Sequence, residues 1–179
     1  MQAGTPEQLL SAAQAGDQQA LESLLALHRN GVYRYGMRVC RTTEDAEDAV
    51  QETLWAATRA LKTFRGTAGS IAGWLFTIVR HRCYRMLDRW RRAEEAADLP
   101  TPFQSPLEDT VAAREQSRLL AEALARMDPR DRQVILLRDV EGLTAPEAAA
   151  ALGISVGALK SRLHRARVTL REALQGEAG

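Results

Sequence analysis

Between residues 93 and 110 the chain reads AEEAADLPTPFQSPLEDT, with prolines at 100, 102 and 106 and no basic side chain. Proline lacks an amide hydrogen and crowds the preceding turn, so a regular helix cannot run through this stretch. An acidic, proline-rich segment also buries too little apolar surface to offset the entropy of ordering it. A chain of 179 residues broken at this place must fold as two small bodies. The expected organisation is one domain over residues 1–92, a flexible acidic linker over 93–112 and a second domain over 113–179.

Both flanks are rich in Ala, Leu, Arg, Glu and Gln, which favour helix. Apolar residues recur there at spacings of three and four. Leu21, Leu24, Leu25, His28 and Val32 form one stripe, and Ala46, Val50, Leu54, Ala57 and Leu61 a second. Ile71, Leu75, Ile78, Val79, Met86 and Trp90 form a third. The expected fold class is all-α, as two small helical domains. The formal net charge of +1 conceals blocks, because residues 93–112 hold only acidic charges and both flanks are net basic. Local clusters therefore say more about partners than the overall charge does.

Several function classes lack support. No apolar run reaches the roughly 20 residues that span a bilayer. The N-terminus MQAGTPEQLLSAAQAGD has no basic region followed by an apolar core, so no secretory signal is read there and a cytoplasmic location is expected. Cys40 and Cys83 are far apart in sequence and are read as small buried apolar side chains, with no disulfide framework. His28, His81 and His164 fall on three separate helices, so no catalytic group, metal site or cofactor is expected.

Local signals cut the second domain cleanly. Asp128 before Pro129 starts a helix that is read through to Gly142. Thr144 with Glu147 has the spacing of a capping box, Gly153 ends that helix, and Ser155 caps the next. In TAPEAAAALGISVGALKSRLHRAR, residues Ala148, Ala149, Leu152, Ile154, Val156, Leu159 and Leu163 can pack between two helices. Lys160, Ser161, His164, Arg165 and Arg167 are then left to solvent. This is a helix-turn-helix pattern, whose second helix enters the major groove. A plain helical hairpin with a solvated basic face fits the same residues.

Two further faces stand out in the first domain. Along WLFTIVRHRCYRMLDRWRR, one side gathers Trp74, Thr77, His81, Tyr84, Arg85 and Arg91. Aromatics set among arginines suit stacking on unpaired bases, although Trp74 and Tyr84 would serve equally as core residues. The preceding TFRGTAGSIAG reads as a loop that could hold a flipped-out base. In TTEDAEDAVQETLWAATRAL, Asp45, Asp48 and Glu52 lie opposite the apolar stripe, flanked by Gln51 and Trp55. An exposed tryptophan among carboxylates fits a docking face for a basic protein surface, and a solvated helix with Trp55 folded onto a neighbour is the alternative.

These segments, in this order, resemble the extracytoplasmic-function sigma factors of bacterial RNA polymerase, from about Glu7 to Leu174. AEDAVQETLW resembles the helix that binds the clamp helices of the polymerase β′ subunit, which implies a polymerase-binding set of Asp45, Asp48, Gln51, Glu52 and Trp55. TFRG with WLFTIVRH resembles the region that melts and captures the minus-ten element, which implies Phe64, Arg65, Trp74, Thr77, His81, Tyr84 and Arg85. SVGALKSRLHRAR resembles the helix that reads the minus-thirty-five element, which implies Ser155, Lys160, Ser161, His164, Arg165 and Arg167. Where the family commonly has asparagine this chain has His81, and Ala158 stands where threonine is frequent. The resemblance further implies a non-catalytic transcription initiation factor whose partners are core RNA polymerase (β′ clamp helices and β flap) and promoter DNA. A separate anti-sigma protein is expected too, since no regulatory domain is read in this chain. The rivals are a free-standing helix-turn-helix regulator, which leaves the first domain's two faces unexplained, and a nucleic-acid-processing enzyme, which lacks a clustered acid or metal site.

Overall fold

A computed structural model describes residues 5–95 and 111–176. The chain divides into two compact units, Met1–Thr101 and Pro102–Gly179. The described residues form helices joined by turns and short loops, with no strand among them.

The first unit holds four α-helices: α1 Pro6–Ala15, α2 Gln18–Val39, α3 Thr43–Ala60 and α4 Ile71–Glu95. Local chemistry sets their starts. Thr5 and Gln8 form a reciprocal capping box at α1, which the sequence patterning had not singled out. Asp17 caps α2 by accepting from the Ala20 amide, and Thr42 caps α3 by accepting from Asp45. Gly16, at φ 104°, makes the left-handed turn between α1 and α2 that a side chain would strain. The core collects Leu24, Val32 and Tyr35 of α2, Ala46, Ala49, Val50 and Ala57 of α3, and Ile71, Leu75, Phe76, Val79 and Cys83 of α4. Gly36 and the alanines let α2 and α3 approach closely, since a Cβ at Gly36 would already touch Ala46 and Val50.

Trp90, read as core, is not enclosed. It is 37% exposed and lies at the rim, where α4 passes the N-terminal end of α3. Helix α4 also runs to Glu95, inside the stretch read as linker, and the first helix of the second unit begins at Val111, before residue 113. Alanine and glutamate at 93–95 favour that extension. The rest of the expected linker, residues 96–110, lies outside the described residues.

The second unit contains α5 Val111–Arg126, α6 Pro129–Ile135, α7 Ala145–Leu152 and α8 Val156–Gly176. Asp128 caps α6 and the Thr144–Glu147 capping box starts α7. The sequence reading of one helix through to Gly142 needs amendment. Leu136–Val140 forms a π turn, closed by Glu141 N donating to Leu136 O at 2.9 Å. Leu143 N then reaches Leu137 O, and the Arg138 guanidinium reaches Leu143 O, so the widened turn is tied down. Val134, Leu137, Ala148, Ala149, Leu152, Leu159, Leu163 and Ala166 fill the core. Val156 was expected in that packing but is 36% exposed, at the first position of α8.

Candidate functional site

The outward face of α3 carries Asp48, Gln51, Glu52 and Trp55, all exposed. Trp55 is 63% exposed, and Arg59, one turn on, lays its guanidinium 4.8 Å from the ring centre. Glu52 accepts an ion pair from Arg82 of α4 at 2.8 Å. Asp45 does not join this face. It is 7% exposed, and its Oδ2 accepts the indole N–H of Trp90 at 2.6 Å. Arg41 covers the other side of that indole at 5.1 Å. A helical projection places Asp45 outward, but it cannot register that the end of α4 crosses the first turn of α3.

The minus-ten candidates gather at the start and middle of α4. Phe64 packs on Trp74 with ring centres 4.9 Å apart and planes tilted by 37°. Gly66 lies against the Phe64 ring, and a Cβ there would overlap that ring and the Ser70 hydroxyl. Trp74 is half-buried against Phe64 rather than a free-standing platform. Thr77 is half-buried and donates its hydroxyl to Gly73 O at 2.8 Å. Tyr84 is half-buried beneath the Arg80 guanidinium, 5.6 Å from its ring centre. Arg65, His81 and Arg85 are exposed. Arg85 also lines an open groove of about 280 Å³ with Glu52, Arg82, Met86 and Arg89, so the basic face of α4 continues to the acidic face of α3.

Cys40 and Cys83 are both buried and free, and the fold brings them together across α2 and α4. A hydrogen bond between the thiols, together with burial, pushes the Cys83 thiol far up. The Tyr35 hydroxyl, in the same region, is buried without a hydrogen-bond partner, and desolvation raises its pKa well above 10.0. Among the described residues, no three His, Cys, Asp or Glu side chains cluster as metal ligands.

In the second unit, α8 buries Leu159, Leu163 and Ala166 and presents Lys160, Ser161, His164 and Arg165 to solvent. Ser155 caps this helix, its Oγ accepting from Ala158 N at 3.1 Å, which leaves the hydroxyl hydrogen to donate elsewhere. Arg167, read from the sequence as a free basic side chain, is engaged within the unit. Its Nε and Nη2 bind the two carboxylate oxygens of Asp139 at 2.9 and 2.5 Å, and that pairing raises its pKa. The π turn brings Asp139 within reach, a placement that periodicity alone does not contain. Arg162 lies 3.8 Å from Asp131. Sequence reading also missed Gln14 of α1, which donates to Leu61 O at 3.2 Å and to Phe64 O at 2.9 Å. No motif marks it, because its partners are backbone carbonyls about fifty residues away.

Residues 24–94 match the family Sigma-70 region 2, and residues 117–170 match Sigma-70, region 4. The chain is 34% identical to the ECF RNA polymerase sigma factor SigM of Mycobacterium tuberculosis, over 93% of this chain and 83% of that protein. It is 33% identical to the RNA polymerase sigma factor CnrH of Cupriavidus metallidurans, over 95% of this chain and 94% of that one. This chain belongs to the ECF RNA polymerase sigma factors. Its fold is similar to that of CnrH solved in complex with the cytosolic domain of CnrY, with a TM-score of 0.72 and 30% identity, covering 97% and 99% of the two chains. It is also similar to the sigma factor RpoE of Bartonella quintana in complex with the anti-sigma factor NepR, with a TM-score of 0.75 and 26% identity, covering 86% and 96%. The family acts in transcription initiation, and its members are transcription factors rather than enzymes. No helix of the described residues is long and apolar enough to cross a membrane.

Proposed function

We propose that this chain is a cytoplasmic promoter-specificity subunit that docks on core RNA polymerase, reads the minus-thirty-five and minus-ten elements and assists strand opening. The first unit would use Asp48, Gln51, Glu52 and Trp55 on the β′ clamp helices. Phe64, Arg65, Trp74, Thr77, His81, Tyr84 and Arg85 would hold the opened minus-ten strand. In this arrangement exposed cations take the phosphates, and the half-buried rings offer edges and partial faces to unpaired bases. The second unit would lay Lys160, Ser161, His164 and Arg165 of α8 in the major groove, with Ser155 on a phosphate, and would contact the β flap. Arg167 would act by bracing α8 against Asp139. Its anti-sigma partner would cover the Trp55 face, the basic helix, or both, as befits a chain similar to CnrH and RpoE.

One observation carries this reading: the same chain presents a solvated tryptophan flanked by carboxylates and a basic helix face opposite a buried leucine stripe. A free-standing regulator has no use for the first. Run-off transcription with core polymerase tests it. Promoter-dependent transcripts are expected only when the chain is added, and Asp48→Arg combined with Trp55→Ala should abolish them while far-UV circular dichroism stays unchanged. Tight, specific duplex binding by the isolated chain, without polymerase-dependent transcription, would overturn the proposal.

A further inference from the structure

Gln14 is a half-buried polar side chain on a short helix that the site described above does not use. Its single amide nitrogen gives both hydrogens to one stretch of backbone, at Leu61 O and Phe64 O. Leu61 O also accepts from Phe64 N at 3.1 Å, so the three groups close around the exit of the short 3₁₀ turn Leu61–Thr63. Phe64 begins the loop that leads to α4, and its ring is the one that packs on Trp74 and lies against Gly66. The bonds that Ser70 makes within the loop, through its amide and its hydroxyl to Thr67 O, are local to it. Gln14 ties the loop's entrance to a separate helix.

We infer that Gln14 is a positioning residue for the base-capturing loop, with α1 serving as the strut that sets the height of Phe64 over Trp74. Carbonyls accept only, so the anchor needs a side chain with two hydrogens to donate at that point, and a carboxamide supplies them without adding charge. Leu10 and Ala13, buried on the same helix, fix α1 itself and leave Gln14 to hold the loop. The inference rests on the reading of the Phe64–Ser70 loop as part of the minus-ten site.

The test uses holoenzyme reconstituted from core polymerase and the full chain, on a promoter selected in vitro by the unaltered holoenzyme. Run-off yield is compared among templates carrying each of the four bases at every minus-ten position. Gly66→Ala displaces Phe64 directly and identifies the position that the loop reads. Gln14→Met keeps the volume and loses both donors; it should flatten the preference at that same position about three- to tenfold, with core affinity and minus-thirty-five preference unchanged. Gln14→Glu should lose the preference at least as far as Gln14→Met, because a carboxylate has no hydrogen to donate and would face two carbonyl oxygens. Full preference in Gln14→Met where Gly66→Ala has lost it would overturn the inference. So would a parallel loss of core affinity, which marks a merely structural residue. If Gly66→Ala and Phe64→Ala both leave every minus-ten preference intact, the reading of the loop itself falls, and the role of Gln14 falls with it.

Discussion

Removal of the Asp45 carboxylate separates the two faces of α3 experimentally. Asp45 is enclosed and accepts the Trp90 indole N–H at 2.6 Å, whereas Asp48, three residues on, is solvated. A hydrogen bond to a charged group is worth about 1.5–3 kcal/mol. Asp45 also stands in the first turn of α3, where a carboxylate gains about 0.3–1 kcal/mol from the helix dipole. Against this, Trp90 is 37% exposed and its N–H can recover water once the carboxylate is gone. Asp45→Ala should therefore cost about 2 kcal/mol, which for a unit of this size lowers the midpoint by roughly 10 °C. All three tryptophans lie in the first unit, so indole fluorescence during urea unfolding reports on that unit alone. In a double-mutant cycle with Trp90→Phe the coupling should be about 1–2 kcal/mol. Asp48→Arg should leave unfolding unchanged and weaken core-polymerase binding. Additive effects of Asp45→Ala and Trp90→Phe, or an Asp45→Ala protein of unaltered stability with weakened polymerase binding, would refute the reasoning.

The remaining predictions use other features of the two cores. Tyr35→Phe should be neutral or stabilise the first unit by up to about 1 kcal/mol, because it deletes a buried hydroxyl that has no partner; a loss of more than about 1 kcal/mol in urea unfolding would contradict this. Cys83 has its thiol pushed up from 9.0 by Cys40 and by burial, so the folded state keeps a proton that the unfolded chain releases. The associated stability is fully present below about pH 9 and falls as pH rises beyond it, with Tyr35 adding to the fall above about pH 10; a flat stability profile between pH 8 and 10.5 would argue against both. Arg165→Ala should cost about 1–3 kcal/mol of base discrimination in minus-thirty-five binding by holoenzyme. Arg167→Ala, whose exposed pair with Asp139 is screened by solvent, should change that affinity by no more than about threefold, and equal losses in the two variants would mean that Arg167 reaches the DNA after all.

The sequence by itself determined the helical class, the break between two bodies, the caps of α6, α7 and α8, and the split of α8 into a buried Leu159–Leu163 edge and an exposed Lys160–Arg165 edge. These features are local. A cap needs residues three apart, a helix face needs a period of 3.6, and a proline acts on its own turn. The exposed Trp55 was legible for the same reason, since among the described residues it stays 63% exposed at the position that the period assigns it. Only the tertiary structure decided which polar side chains the fold itself consumes. Asp45 went to Trp90, Arg167 to Asp139 and Gln14 to the carbonyls of Leu61 and Phe64, and Cys40 met Cys83. Each of these depends on where one helix crosses another, or on a π turn that rotates the residues after it. Helical periodicity fixes the direction a side chain takes from its own axis but carries no information about what stands opposite, and a hydrogen bond is decided by the partner within about 3 Å of the donor.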